Sequence, residues 1–311
     1  MPKRVLHPWH TQLGSQRDWI WRGWQIRYTH LQSLEPTTVE TAPLVFLHGF
    51  GAALTQWRSN LIPLSQSRTV YALDFLGFGA SEKAVTGYNV SLWAEQVYEF
   101  WQQFIGKPTI FVGHSLGALV ALVAAVNHPE MAKGLVLITL PSSRQELLPQ
   151  WLQPIVGAIE GMFASPLIIN PLFRLIRQPS FIRSVLQKIY TEKTNVTEEL
   201  VSSFTMPAID RGAAKVLVRL VKARTRVDFS PDTKTLLPGL KMPVLVLWGD
   251  QDKIIPLTWG RQLPALNPNV RLVELAGAGH CSYDESADRV NDEILTWIRT
   301  TVETDNVEVL L

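Results

Sequence analysis

The sequence predicts an α/β fold, with a mostly parallel central sheet, helices on both of its faces and an inserted helical cap. Three observations carry that prediction. Short apolar runs of strand length, such as Leu44-Val45-Phe46-Leu47 and Thr109-Ile110-Phe111-Val112, alternate with segments of helical periodicity. Runs that are apolar at successive positions suit strands covered on both faces, as in right-handed βαβ units. The alternation stops after Leu140 and resumes at Val244, leaving a stretch without a convincing buried strand.

In order, Trp19 to Arg22 and Gln25 to His30 read as two strands joined at Gly23, an antiparallel hairpin at one sheet edge. Leu44 to Leu47 is a buried strand ending at His48-Gly49, and Thr69 to Leu73 another ending at Asp74, with a helix from Leu54 to Gln66 between them. Ser91 to Ile105 places Leu92, Val97, Phe100, Trp101 and Phe104 at helical spacing and closes on Gly106 and Pro108. The strand at 109–112 follows, then a helix from Ala118 to Asn127 and a strand from Gly134 to Leu140. Past the interruption come the strand Val244 to Trp248, a helix from Leu257 to Leu266, the strand Val270 to Leu275 and a terminal amphipathic helix from Asp284 to Thr301. Residues 1–140 and 241–311 thus form a core domain, and 141–240 a helical cap punctuated by prolines.

With 46% hydrophobic and 18% charged residues over 311 positions, the chain can bury a substantial core and does not read as disordered. A net charge of +2, with no nucleic-acid-reading motif, gives no expectation of a nucleic-acid partner. Cys281 is the one cysteine, so neither a disulfide framework nor a multi-cysteine metal site is expected. Residues 1–14 lack the apolar stretch of a secretory signal, and the run near Ala118 to Val126 is short of a membrane span. A cytoplasmic protein is expected, with peripheral membrane contact through the cap as the variant of that reading. Asn89-Val-Ser and Asn195-Val-Thr match the glycosylation pattern but carry little weight without a signal.

The chemistry centres on Gly113-His114-Ser115-Leu116-Gly117, lying between a strand and a helix. Gly-x-Ser-x-Gly in that context marks a nucleophile elbow: a strained serine on a sharp turn, flanked by glycines that let strand and helix approach. Serine is a weak nucleophile and needs a general base, which in turn needs an orienting acid. Both occur at strand ends downstream, in Gly249-Asp250-Gln251-Asp252 and in Gly277-Ala278-Gly279-His280. The chain order is Ser, Asp, His, with Asp252 or Asp250 as the acid. Each residue also has a bland role to weigh against this one: a helix cap for Ser115, a loop cap for Asp252, a satisfied core histidine for His280.

Together with His48-Gly49-Phe50-Gly51, Asp74-Phe75-Leu76-Gly77-Phe78-Gly79-Ala80-Ser81 and Gly-x-x-Asp-x-x-x-Pro, these motifs resemble the α/β-hydrolase superfamily over most of the chain outside the cap. The resemblance implies an α/β-hydrolase fold and assigns the acid to Asp252, four residues before Pro256, with Asp250 as the rival. It gives the oxyanion hole to the backbone amides of Phe50 and Leu116. His48, Gly49, Gly113, His114 and Gly117 support the site, His48 bracing its loop rather than acting as base, and Asp74 bonding backbone amides. No cofactor or metal is implied.

A serine nucleophile separates the chain from the carboxylate-using dehalogenases and epoxide hydrolases of that superfamily. It implies a serine hydrolase of carboxylic, lipid or prenyl esters, with a cofactor-free haloperoxidase, transacylase or carbon–carbon hydrolase as alternatives. A non-catalytic ligand-binding protein is the rival outside enzymology. The loop motifs also resemble the cyanobacterial and plastid branch that includes pheophytinases and chlorophyll dephytylases, although those carry Pro and Asn where this chain has His48 and His114. The cap is apolar from Trp151 to Ile176, which suits an apolar acyl substrate. Farther along, Arg211, Lys215, Arg219, Lys222 and Arg226 recur at three- or four-residue spacing, a basic face able to meet an anionic membrane. Oligomeric state is not legible.

Overall fold

The computed structural model describes residues 13–34, 41–142, 166–224 and 226–303. Strands β1 (Ser15–Trp21) and β2 (Trp24–Leu31) form the expected antiparallel hairpin. Its two-residue turn places both Arg22 and Gly23 at positive φ, 49° and 86°, the backbone twist that matches paired strands. Then come β3 (Leu44–Leu47), α1 (Leu61–Ser65), β4 (Val70–Leu73), α2 (Val90–Phe104), β5 (Thr109–His114), α3 (Leu116–Asn127) and β6 (Ala132–Ile138). After the cap, the core resumes with β7 (Val244–Gly249), followed eventually by β8 (Val270–Leu275).

The strands lie in the order β1-β2-β4-β3-β5-β6-β7-β8, antiparallel at the hairpin end and parallel from β4 to β8. Strand alternation divides the core in two. Val45, Leu47, Phe111, Val244 and Val246 point into one cluster, roofed by Trp93, Val97 and Phe100 of α2 and by α3. Leu44, Phe46, Ile110, Val112, Leu245 and Leu247 point into the other. Every residue of β3, β5 and β7 is buried, which is why these strands read as unbroken apolar runs.

Between β6 and β7 the described elements are helical: α4 (Pro166–Ile176), α5 (Pro179–Ile189), α6 (Glu198–Ala208), α7 (Ala213–Arg224) and α8 (Thr233–Leu236). The architecture is a mostly parallel sheet between helices with an inserted helical cap. Leu186, Tyr190, Leu200 and Val201 of the cap join the second core cluster, and Val216 and Leu220 join the first. The apolar stretch from Trp151 to Phe163 lies outside the described residues, as do residues 1–12 of the N-terminal segment that lacks a signal pattern. Among the described residues, no helix is long and apolar enough to cross a membrane.

Several expected helices are broken. Leu54 to Gln66 is a 3-10 turn (Leu54–Trp57) and a separate short α1, whose N-cap Asn60 turns its side chain to the Tyr283 carbonyl and to Asn291 across the core. Leu257 to Leu266 is two short turns, α9 (Leu257–Gly260) and α10 (Leu263–Leu266). The terminal helix divides into α11 (Ser282–Glu285) and α12 (Ala287–Trp297), parted at Ser286, and ends in a π turn (Ile298–Val302). The strand expected at 134–140 sits two residues earlier; Thr139, at φ 50°, has already left the sheet geometry. The basic row is also shorter than its spacing suggests. Arg211 and Arg226 lie beyond the ends of α7, and Arg226 is paired with Asp228.

Candidate active site

β5 runs directly into Ser115, and α3 begins at the next residue. Ser115 sits at φ 50° and ψ −113°, a conformation costly for any residue with a side chain. The flanking glycines are dictated by contact. A Cβ on Gly113 would overlap the backbone of Gly117, and one on Gly117 would overlap the carbonyl oxygen of Leu47 in the neighbouring strand. Ser115 occupies the N-cap position of α3, yet its hydroxyl caps nothing in the helix. Helix capping therefore does not account for it. Leu116 is the first residue of α3, where a backbone N–H has no partner within the helix.

Two loops from the next strands meet beside this elbow. β7 ends at Gly249, where any Cβ would overlap the carbonyl oxygens of Ala278 and Gly279, so the loops after β7 and β8 can touch. Gln251 N–H donates to the Ala278 carbonyl at 2.9 Å. The Asp252 side chain is wholly buried, and its Oδ2 lies 2.9 Å from His280 Nδ1. Its Oδ1 accepts from the amides of Ile254 and Ile255 at 2.7 and 2.9 Å. A carboxylate with one oxygen fixed by two amides can hold an imidazole in a single orientation with the other. Asp250 faces elsewhere, accepting from Gly277 N–H at 2.8 Å and tying the two loops together. Of the two aspartates, Asp252 is the one bonded to His280.

His114 links the elbow to this pair. Its Nε2 donates to the His280 carbonyl at 3.0 Å, and the two rings are 4.8 Å apart. Burial, then the neighbouring His280, holds the His114 pKa well below the usual imidazole range, so the ring is neutral. His48 is likewise wholly buried and lowered to about 4, chiefly by burial. Its Nε2 accepts from Phe75 N–H at 3.0 Å, which fixes the proton on Nδ1 for donation to the Gly49 carbonyl at 2.7 Å. Both ring nitrogens are occupied in holding the loop. Gly49 N–H is in turn held by Gln56 Oε1 at 3.0 Å. Phe50, the next residue, is 40% exposed and leans on Phe78. Asp74 accepts from Leu54 and Ala80 amides at 2.6 and 2.7 Å. Burial pushes its carboxyl up to about 6 against those hydrogen bonds.

Sequence reasoning overlooked the groups that fasten the cap. Lys83 Nζ donates to the carbonyls of Gly79 and Ser81 in the Asp74 loop and pairs with Asp210, just before α7, at 3.4 Å. Tyr190, after α5, donates to Asp284 Oδ2 at 2.7 Å, where Arg58 also donates at 2.6 Å. Glu285 accepts from Thr191 N–H of the cap and from Cys281 N–H, next to His280. The Arg224 guanidinium, at the end of α7, lies 5.5 Å from the centre of the Phe50 ring. The cap thus touches both the loop carrying Phe50 and the segment carrying His280. A proline-rich loop-and-helix segment gives no periodic signal for such long-range pairs. Among the described residues no group of three or more His, Cys, Asp or Glu is arranged to hold a metal ion.

A family model described as alpha/beta hydrolase fold matches residues 42–287. An uncharacterized hydrolase of Bacillus subtilis strain 168, YugF, is 26% identical over 278 residues, covering 89% of this chain and 95% of its own length. The chloroplastic pheophytinase of Arabidopsis thaliana is 24% identical over 325 residues, covering 87% of this chain and 64% of that protein. Among solved structures, a meta-cleavage product hydrolase from Pseudomonas fluorescens IP01 superposes with a TM-score of 0.75 at 19% identity, covering 93% of this chain and 98% of that one. At that identity the likeness is one of fold.

Proposed function

Because the chain belongs to the α/β-hydrolase fold family, we propose that it is a serine hydrolase cleaving carboxylic esters of apolar acyl or prenyl groups through an acyl-enzyme on Ser115. One observation carries the proposal. A serine at φ 50°, with no capping role, follows a histidine whose ring is bonded to the carbonyl of His280, itself paired at 2.9 Å with the buried Asp252 side chain.

In the proposed reaction His280 takes the Ser115 hydroxyl proton as Oγ attacks the ester carbonyl. Asp252 holds the imidazole through Nδ1 and stabilises the cation that forms. The developing oxyanion accepts hydrogen bonds from the amides of Phe50 and Leu116, preorganised because His48 and Gln56 fix one loop and α3 fixes the other donor. Collapse expels the alcohol, protonated by His280. Water then attacks the acyl-enzyme with His280 as base, releasing the acid.

Fluorophosphonate labelling of Ser115 and hydrolysis of p-nitrophenyl esters of graded chain length test this. Ser115→Ala should abolish labelling and lower kcat by about 10⁴-fold or more. Asp252→Asn should cost about 10⁴-fold, whereas Asp250→Asn should leave most of the activity. An unlabelled wild type would point to a ligand-binding protein on this scaffold. The likeness to a pheophytinase favours one more specific reading, removal of a prenyl alcohol from a pigment ester. Pheophytin turnover beside the synthetic esters tests it, and cleavage of short esters alone would leave it unsupported.

A further inference from the structure

We propose that the helix pair α4–α5 of the cap is a docking surface for an anionic lipid bilayer. Residues 166–226 contain eleven Lys and Arg against four Asp and Glu, a net of +7. The whole chain has 29 against 27, so the rest of the molecule is net −5. Over the whole insertion, residues 141–240, the count is 13 Lys and Arg against eight Asp and Glu, so a cap of +5 sits on a body of −3, a polarity that the overall charge of +2 conceals. Across α4, α5 and the two residues joining them, the charged groups are Arg174, Arg177, Arg183 and Lys188, with no carboxylate.

The same helices expose apolar side chains. Leu172 and Leu175, three apart on α4, are 49% and 58% exposed. Phe181 and Val185, four apart on α5, are each 38% exposed, and Lys188 follows on the same face one turn later. Among the described side chains of these helices, Phe173 and Leu186 are the buried ones, so Leu172, Leu175, Phe181 and Val185 are apolar groups outside the core-facing contacts. An apolar stripe bordered by cations is what an interfacial helix presents to a bilayer: aliphatic and aromatic groups reach the acyl boundary while Arg and Lys meet phosphates. Arg183 is committed to Glu198, so the attraction rests on Arg174, Arg177 and Lys188. The exposed Lys215 and Arg219 of α7, the helix packed against α4, reinforce it. A nucleic acid would use this charge but leave the exposed Leu and Phe unexplained.

Co-sedimentation of the full chain with phosphatidylcholine vesicles, with and without phosphatidylglycerol, tests the surface. Binding should require the anionic lipid and weaken as salt rises. Leu175→Ser combined with Phe181→Ser should reduce it about tenfold. Arg174→Gln and Lys188→Gln, at exposed positions that leave folding intact, should each cost about fivefold. Urea midpoints equal to wild type exclude misfolding. Fluorophosphonate labelling of Ser115 is read separately, so loss of the hydrolase reading is distinguishable from loss of this one. Absence of vesicle binding, equal binding to neutral vesicles, or binding of duplex nucleic acid in place of vesicles would overturn the proposal. So would a wild-type dimer that Leu175→Ser with Phe181→Ser dissolves.

Discussion

At the residue scale, the site depends on two histidines kept neutral by burial. His48 is lowered to about 4 while the unfolded chain titrates near 6.5. Its contribution to stability is present above the unfolded value and is lost as pH falls toward the folded one, because only the unfolded chain then takes up the proton. Between about pH 7 and pH 5 this amounts to about 2 kcal/mol, and His114 adds to it with the same sign. Asp74, raised to about 6, works the other way: the folded chain binds its proton first, restoring about 1 kcal/mol over that range. Acidification should therefore destabilise the fold, and His48→Gln, which can still accept from Phe75 N–H, should flatten the dependence. Urea midpoints of both proteins at the two pH values check this; an unchanged slope would mean that His48 is not the group responsible. The Ser, His and Asp candidates were all legible from order and spacing. The choice between Asp252 and Asp250 needed the family resemblance, since both are aspartates of one loop and only their directions differ.

At the element scale, strands were easier to recognise than helices. β3, β5 and β7 are buried on both faces, so their sequences contain little but apolar residues. The helices that failed the periodicity reading are those whose termini serve tertiary contacts. Leu54 to Ser65 breaks where Arg58, Ser59 and Asn60 turn toward α11 and α12, and Ser286 divides those two helices just after Asp284 and Glu285 meet the cap. Asp284 lies at the centre of this junction, receiving Arg58, Ser59 and Tyr190. Asp284→Ala would leave the largely buried Arg58 without its counter-charge and should destabilise the protein by about 3 kcal/mol. Tyr190→Phe removes one donor but leaves that ion pair and should cost about 1 kcal/mol. Denaturant unfolding of both variants measures the difference. Equal losses would show that the ion pair is not what matters there.

At the scale of the whole molecule, cap and core share their buried clusters. Tyr190, Leu200 and Val201 pack with the sheet and with Trp297 in one of them, while Val216 and Leu220 pack in the other. The two parts should therefore unfold together, in a single transition seen alike by far-UV circular dichroism and tryptophan fluorescence. Two separated transitions would show the cap to be an independent unit. The sequence by itself determined the alternation of strands and helices, the interruption that makes the cap, and the residue types and order of the elbow. It could do so because backbone geometry and burial impose local, periodic or short-range patterns on the chain. The tertiary structure pairs Asp252 with His280, and it alone decided that His114 ties the elbow to the His280 loop and that Lys83, Asp284 and Glu285 fasten the cap. These pairings join residues from about 28 to 166 positions apart. A hydrogen bond or ion pair is satisfied wherever two side chains meet in space, and so leaves no period along the chain from which it could be read.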